Sequence, residues 1–117
     1  MTDLLFHIAT ETDWAGREDV YVPSQFASEG FIHCSTAMQL ERVASQRFRL
    51  RDDLVVLSID PDRVGPQIRY ENLEGGQEQF PHIYGPLNLD AVFEVRHVRT
   101  DHNGKFIFAP DGKSSEL

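Results

Sequence analysis

The sequence predicts one α+β domain. Several short apolar segments rich in β-branched residues are typical of strands, and one segment has apolar residues at helical spacing. The chain has 117 residues, near the usual size of a domain with one core. Neither an internal repeat nor an interdomain linker is visible. Residues 1–109 are therefore expected to form the domain, and the polar segment 110–117 to form a flexible C-terminal tail.

The first half of the chain predicts two strands and two helices. Residues 4–10 are short and apolar, which predicts a strand, and residues 11–13 (Glu-Thr-Asp) favour the start of a short N-terminal helix. Residues 31–34 predict a second strand. Thr36 followed three residues later by Gln39 fits a capping box, and this begins the main helix, predicted over about 36–49. The apolar face of that helix consists of Leu40, Val43, Ala44 and Phe48.

The second half of the chain predicts further strands. Residues 54–59 form an almost unbroken β-branched run, which indicates a central strand covered on both faces. Residues 80–87 contain Pro81 and Pro86, so this segment is expected to be extended but not a fully paired central strand. The remaining predicted strands are residues 67–71, 91–98 and 105–109.

Charge and cysteine content limit the partners and the compartment. Eleven Lys and Arg against 19 Asp and Glu give a net charge of −8, which repels polyanions and makes long nucleic acid an unlikely partner. The one basic cluster, Arg42, Arg47, Arg49 and Arg51, is diluted by neighbouring acidic residues and is interpreted as a solvated helix end. No apolar run approaches the roughly 18 residues of a membrane-spanning helix. A single cysteine and no secretion signal predict a cytoplasmic protein.

Polar residues within apolar strands are the candidates for a functional site. His7, His33 and His82 lie in or beside predicted strands, where burying an imidazole costs free energy unless it is hydrogen-bonded. Strand alternation places three pairs of polar residues on common faces: His33 with Ser35, Arg69 with Glu71, and His82 with Tyr84. The members of each pair either satisfy each other locally or line one pocket, and three such pairs together favour the pocket.

Other kinds of site find less support. A metal site built from His7, His33, His82 and Glu71 is an alternative, but no closely spaced ligand motif occurs and no metal is predicted. Cys34 and His33 are adjacent on a strand and point to opposite faces, so Cys34 is interpreted as an inert buried thiol. Ser35 and Thr36 precede the main helix, where they either bind an anion or simply cap the helix.

Three segments carry a family resemblance. They are GFIHCST (30–36), IRYE (68–71) and FPHIYGPL (80–87). With these segments the chain resembles bacterial domain-of-unknown-function family 952 from about residue 6 to residue 95. That family looks like a distant relative of the ADP-ribosyltransferase superfamily, which includes the RNA 2′-phosphotransferases. The resemblance implies a strongly bent, split mixed β-sheet and a ligand of the NAD or ADP-ribose type.

The resemblance also implies roles for individual residues. His7 stands where that superfamily often has a strand-borne histidine contacting a ribose. Residues 33–35 (His-Cys-Ser) are similar to the His-x-Ser element of the phosphotransferase site. Residues 69–71 (Arg-Tyr-Glu) are loosely similar to the Glu-x-Glu of arginine-modifying transferases.

Three functions are compatible with the sequence. The first is an enzyme acting on a nucleotide-like or phosphorylated small molecule; the second is a binding or sensor domain that keeps the pocket without the chemistry. The third is a protein-interaction module that uses exposed Trp14 and Phe26. In the enzyme, Arg69 would pair with phosphate or carboxylate through its bidentate fork. The catalytic residues would be Glu71, His82 and His33, and the ligand-binding residues His7, Ser35, Thr36, Arg69 and Tyr84.

Overall fold

A computed structural model of the protein describes residues 3–73 and 75–108. Within these ranges the chain forms nine strands and three α-helices, and none of its helices is long and apolar enough to cross a membrane. The predicted tail over 110–117 and the end of the last predicted strand at Ala109 lie outside the described residues. The strands are β1 (Leu5–Thr10), β2 (Val20–Tyr21), β3 (Ile32–His33), β4 (Leu54–Ile59), β5 (Ile68–Glu71), β6 (Phe80–Ile83), β7 (Leu87–Asn88), β8 (Val92–Thr100) and β9 (Phe106–Phe108). The helices are α1 (Glu11–Ala15), α2 (Phe26–Glu29) and α3 (Ala37–Arg47).

The described strands form three sheets. The large sheet has the order β1-β4-β8-β9, the site sheet has the order β3-β6-β5, and β2 pairs with β7 in a two-stranded ribbon. Backbone hydrogen bonds of 2.7 and 2.8 Å between Phe6 and Ser35 link the large sheet to the chain just after β3, and the strands curl into a half-barrel. The structure is therefore α+β, and its sheet is split as predicted. Every described strand pair is antiparallel, so the expectation of a mixed sheet was wrong.

Strand β4 is the centre of the large sheet, and all six of its residues are buried. Alternate side chains point to opposite faces, so the strand supplies two separate cores. Val55, Leu57 and Ile59 pack in one core against the site sheet and the ribbon. Leu54 and Val56 pack in the other against α3. The prediction of a central strand covered on both faces is confirmed.

The main helix begins where the capping pattern places it. Thr36 is the N-cap residue, and its backbone N–H donates to Oε1 of Gln39 at 3.0 Å. The helix ends at Arg47, two residues before the predicted end at Arg49. Leu50 has a φ of 53°, a left-handed conformation that a continuing α-helix does not contain. The short N-terminal helix is also confirmed, since the Thr10 hydroxyl accepts from the Asp13 N–H at 3.1 Å and caps α1.

One expectation about pairing holds in part, and one about exposure was wrong. Strand β6 lies at the centre of the site sheet, between β3 and β5, but it is not fully paired, because only His82 and Ile83 pair with β3. The N and O of one residue in an antiparallel strand face the same neighbour, and the Pro81 carbonyl accepts from Cys34 at 3.0 Å. The N–H that proline lacks would therefore face the end of the two-residue strand β3, so Pro81 removes only one backbone hydrogen bond. Trp14 and Phe26, expected to be exposed, are half-buried and pack against the core.

Candidate functional site

One face of the site sheet carries most of the predicted site residues. His33 and Arg69 both lie opposite His82, and Glu71 lies opposite Phe80. Paired residues on antiparallel strands point to the same face. The opposite face presents Ile32, Ile68 and Ile83 to the core. By this register the polar face consists of Phe31, His33, Arg69, Glu71, Phe80, His82 and Tyr84.

A cleft of about 300 Å³ lies beside this polar face. Its other walls are α3 and the loop of residues 72–79, of which Glu74 is not described. The volume is at the lower end of the range for small-molecule sites. The predicted catalytic residues His33, Glu71 and His82 all line the cleft. The other lining side chains include Glu29, Phe31, Arg42, Gln46, Arg47, Glu78 and Phe80.

Glu71 holds two of the predicted residues in place. Its Oε1 accepts from Nδ1 of His82 at 3.0 Å and from the hydroxyl of Tyr84. These hydrogen bonds, first from Tyr84 and then from His82, hold the pKa of the Glu71 carboxyl below its ordinary value. The same contact with Glu71 raises the pKa of Tyr84. Glu71 is therefore an anionic acceptor rather than a proton donor at neutral pH.

The contact with Glu71 also fixes the chemistry of the His82 ring. A carboxylate can only accept a hydrogen bond, so Nδ1 of His82 carries a hydrogen, and in the neutral ring Nε2 keeps the basic lone pair. The ring stacks on Phe31, with centroids 4.1 Å apart. The centroid of the His33 ring lies 5.2 Å from that of the His82 ring. His82 is only 3% exposed, so a reacting group would meet it inside the cleft rather than at the open surface.

Arg69 and Tyr84 lie beside the cleft rather than within its lining. The guanidinium carbon of Arg69 is 4.7 Å from the centre of the Tyr84 ring, within the range of a cation–π contact. Tyr84 in turn donates to Glu71. Arg69 is exposed and can reach a ligand at the outer edge of the cleft. Its predicted pairing with phosphate or carboxylate stays a prediction.

His7 is buried and is hydrogen-bonded at both ring nitrogens. Its Nδ1 lies 2.6 Å from the His33 carbonyl oxygen, and its Nε2 lies 2.8 Å from the Tyr21 hydroxyl. Burial lowers the pKa of His7. Together with Ser35 it borders a small inner chamber next to the cleft. Thr36 caps α3 and lines neither cavity. Ligand contacts by these three residues stay predictions.

The cleft contains residues that the sequence interpretation missed. Arg42 and Arg47, interpreted as a solvated helix end, line the cleft. Arg42 forms an ion pair with Glu78, and Gln39 donates to the same carboxylate at 3.1 Å. These contacts tie α3 to the loop of residues 72–79. The spacing along the helix could have indicated these site residues, since residues 39, 42, 43, 46 and 47 share one helix face.

The site contains no assembled metal centre among residues 3–73 and 75–108, where no group of three or more His, Cys, Asp or Glu could hold an ion. The constellation of His7, His33, His82 and Glu71 thus does not form a metal cluster. Cys34 is buried, and burial raises the pKa of its thiol. A protonated thiol is a poor nucleophile, in agreement with its interpretation as inert.

Comparisons with known proteins place the chain in a family without giving it an activity. No curated protein matches the chain. A crystal structure of protein CC0527 from Caulobacter crescentus has a TM-score of 0.77 at 26% identity, covering 89% of this chain and 93% of that chain. A solution NMR structure of CC0527 has a TM-score of 0.70 at 27% identity, covering 97% and 98%. The profile of the family described as "Protein of unknown function (DUF952)" matches residues 8–95. The chain belongs to that family, as its three motif segments predicted.

Proposed function

We propose that the cleft binds a small phosphorylated or nucleotide-like molecule and that His82 moves a proton on it. The observation that carries the proposal is the hydrogen bond between His82 and Glu71 in the wall of a ligand-sized cleft. A carboxylate that orients a histidine and stabilises its charged form is a recurring arrangement in general acid–base catalysis.

The remaining lining suits an anionic ligand with a planar or ring-shaped part. Arg47 and Arg42 lie on the α3 side, and guanidinium groups bind phosphate oxygens in pairs. Arg47 borders the small inner chamber as well as the cleft, which makes it the first candidate for contact with phosphate. The rings of Phe31 and His33 lie on the sheet side and offer surfaces for stacking. In this arrangement His33 orients the ligand beside His82.

The resemblance to the ADP-ribosyltransferase superfamily supports NAD and ADP-ribose as the first ligands to test. In this interpretation the curled strands, divided into separate sheets, correspond to the bent, split sheet of that superfamily. His7 would act indirectly, since both of its ring nitrogens already have protein partners. A lone buried thiol suits a reducing compartment, so the ligand is proposed to be a cytoplasmic metabolite.

A binding or sensor domain without chemistry is the second candidate. The observation that favours it is the cover over His82, whose side chain is 4% exposed and lies against Phe31. A histidine so enclosed can serve mainly to hold Glu71 and the sheet in place. The two candidates differ in turnover, because both predict ligand binding.

Ligand binding is tested by thermal unfolding with NAD, ADP-ribose, nucleotides and sugar phosphates. A ligand at one hundred times its Kd stabilises the native state by about 2.7 kcal/mol, which raises Tm by several degrees. Arg47→Gln should reduce that rise, and Arg49→Gln is the matched control because Arg49 lines neither cavity. Arg69→Gln in the same series decides whether Arg69 contacts the ligand. Equal responses of the Arg47 and Arg49 variants would refute the assigned binding mode.

Turnover is then followed by ³¹P NMR with each ligand that binds. Glu71→Gln preserves the size of the side chain and removes the negative charge that accepts the hydrogen bond of His82 and orients its ring. In the enzyme it should lower kcat by about 10²-fold or more while ligand-induced stabilisation persists. Binding without turnover in the wild-type protein would instead establish the sensor candidate.

A further inference from the structure

A small inner chamber adjoins the cleft, with a volume of about 50 Å³. Glu29, His33, Val43 and Arg47 border both spaces, so the chamber is next to the cleft at these residues. A cavity of roughly 10–15 Å³ is enough for one ordered water. The chamber is therefore large enough for a small polar group and too small for a whole ligand. Its own wall includes His7 and Ser35.

Ser35 carries a buried hydroxyl that no described residue satisfies. The residue is 3% exposed. Its backbone N–H and C=O are both bonded to Phe6, at 2.7 and 2.8 Å. Among the described residues, its hydroxyl has no hydrogen-bond partner. Buried side-chain polar groups nearly always have one, so this hydroxyl points to a group that comes from outside the chain.

The inner wall of the chamber is neutral. Nδ1 of His7 donates to a carbonyl oxygen, its Nε2 accepts from Tyr21, and its burial opposes protonation. The charged residues Glu29 and Arg47 are exposed and lie where the chamber meets the cleft. A phosphate or carboxylate placed against Ser35 would lose its hydration without meeting a cation there. A neutral alcohol matches the serine hydroxyl, because each can both donate and accept.

We propose that the inner chamber is a subsite for a neutral hydroxyl group of the ligand, and that Ser35 binds this group. The inference rests on the proposed function of the cleft and deepens it. The body and the anionic part of the ligand occupy the cleft near Arg47, and one alcohol group enters the chamber. The ligand class is thus a phosphorylated molecule that also carries a free hydroxyl. Ser35 discriminates it from its deoxy analogue.

The first test uses two simple probes, glycerol and inorganic phosphate, followed by ¹H–¹⁵N NMR of the full chain. Glycerol should shift the signals of Ser35 and His7, and phosphate should shift those of Arg47 and Gln46 in the cleft. Ser35→Ala should abolish the glycerol response at His7. Ser58→Ala is the matched control, because Ser58 is also buried, at 6% exposure, but borders neither space. A glycerol response that survives Ser35→Ala, or shifts at Ser35 and His7 caused by phosphate, would overturn the subsite.

The second test uses ribose 5-phosphate and its single-deoxy analogues. The analogue that lacks the hydroxyl bound by Ser35 should bind the wild-type protein about ten-fold more weakly than ribose 5-phosphate. This is the effect of about 1.4 kcal/mol for one lost hydrogen bond. The Ser35→Ala variant should bind ribose 5-phosphate and that analogue equally. The Tm of this variant should be unchanged or higher, since the substitution removes a hydroxyl that lacks a partner among residues 3–73 and 75–108. Equal binding of all analogues to the wild type overturns the subsite and leaves the cleft proposal standing. If phosphate causes no shifts in the cleft while the glycerol response is intact, the cleft proposal is overturned and the subsite stands.

Discussion

Acidification should destabilise the protein through His7. The carbonyl oxygen of His33 can only accept, so Nδ1 of His7 carries the hydrogen, and Nε2 accepts from the Tyr21 hydroxyl. Tyr21 is fully buried, and burial raises its pKa, which keeps it a donor. A proton added at Nε2 would put two donors face to face and place a charge in the core. The folded state therefore resists protonation of His7, and burial lowers the pKa of the residue.

The magnitude follows from linkage. The unfolded chain takes up a proton at His7 near its ordinary pKa of 6.5, whereas the folded chain does so only at lower pH. Between the two values the unfolded state binds one more proton, so stability falls as pH falls, by about 1.4 kcal/mol per pH unit. Below pH 6.5, where the unfolded His7 is mostly charged, each further pH unit that stays above the folded pKa removes about this amount. Such a loss is a large share of a typical unfolding free energy of about 5–15 kcal/mol.

The assay is urea unfolding at pH 7.5, 6.5, 5.5 and 5.0 for the wild type and His7→Asn. Asparagine keeps an N–H donor near the position of Nδ1 and does not titrate, so the difference between the two pH slopes isolates His7. The series stops at pH 5.0 because Glu71, with its lowered pKa, contributes stability that disappears only below its unfolded value of about 4.5. Long-range ¹H–¹⁵N NMR should show the neutral Nδ1–H tautomer. Equal pH slopes for both proteins, or an Nε2–H tautomer, would refute the reasoning.

Three other substitutions test the fold, and a labelling experiment tests the thiol. Gly104→Ala should lower the free energy of unfolding in urea by about 2–5 kcal/mol, because the φ of Gly104 is +83° and a Cβ would lie 2.3 Å from Cα of Ser45. Gly30 also has a positive φ, but a Cβ there would meet nothing within 4 Å. Gly30→Ala should therefore lower the free energy of unfolding by only about 1–2 kcal/mol. Leu57→Ala should cost about 2–5 kcal/mol in urea unfolding, since Leu57 is fully buried. Cys34 should react with a thiol reagent only at the rate of unfolding, measured by absorbance at pH 8; fast labelling of the folded protein would contradict this.

Local sequence patterns predicted the positions of most helices and strands. Which strands pair with each other became clear only from the structure. The run at β4 and the capping pattern at α3 depend on neighbouring residues alone, and both elements lie where expected. The ribbon of Val20–Tyr21 and Leu87–Asn88 was missed because two residues are too few to show a period. Its formation depends on tertiary packing, with Tyr21 fully buried in the core. The antiparallel pairing throughout likewise depends on which strands meet, which residue alternation does not specify.

The same distinction holds for the site. Alternation within each strand correctly placed Arg69 with Glu71 and His82 with Tyr84, and the fold brought these pairs onto one face. The arginines of α3 were missed because a charged helix end reads the same whether it meets water or a cleft. Arg47 and its neighbours become site residues only when the helix is docked against the sheet, a contact between segments far apart in the chain.

The polar face and the core are specified by the same strands, and this couples the site to the fold. Ile32 and Ile83 lie in the core while their neighbours His33 and His82 face the cleft. A slip of one residue in β6 would move Ile83 into the cleft and His82 into the core, exchanging apolar burial for a buried imidazole. The apolar residues thus fix the register, and the register sets the distance from His82 to Glu71. The geometry of the site is therefore determined by hydrophobic burial, so substitutions on the cleft side can change its chemistry while the strands keep their positions.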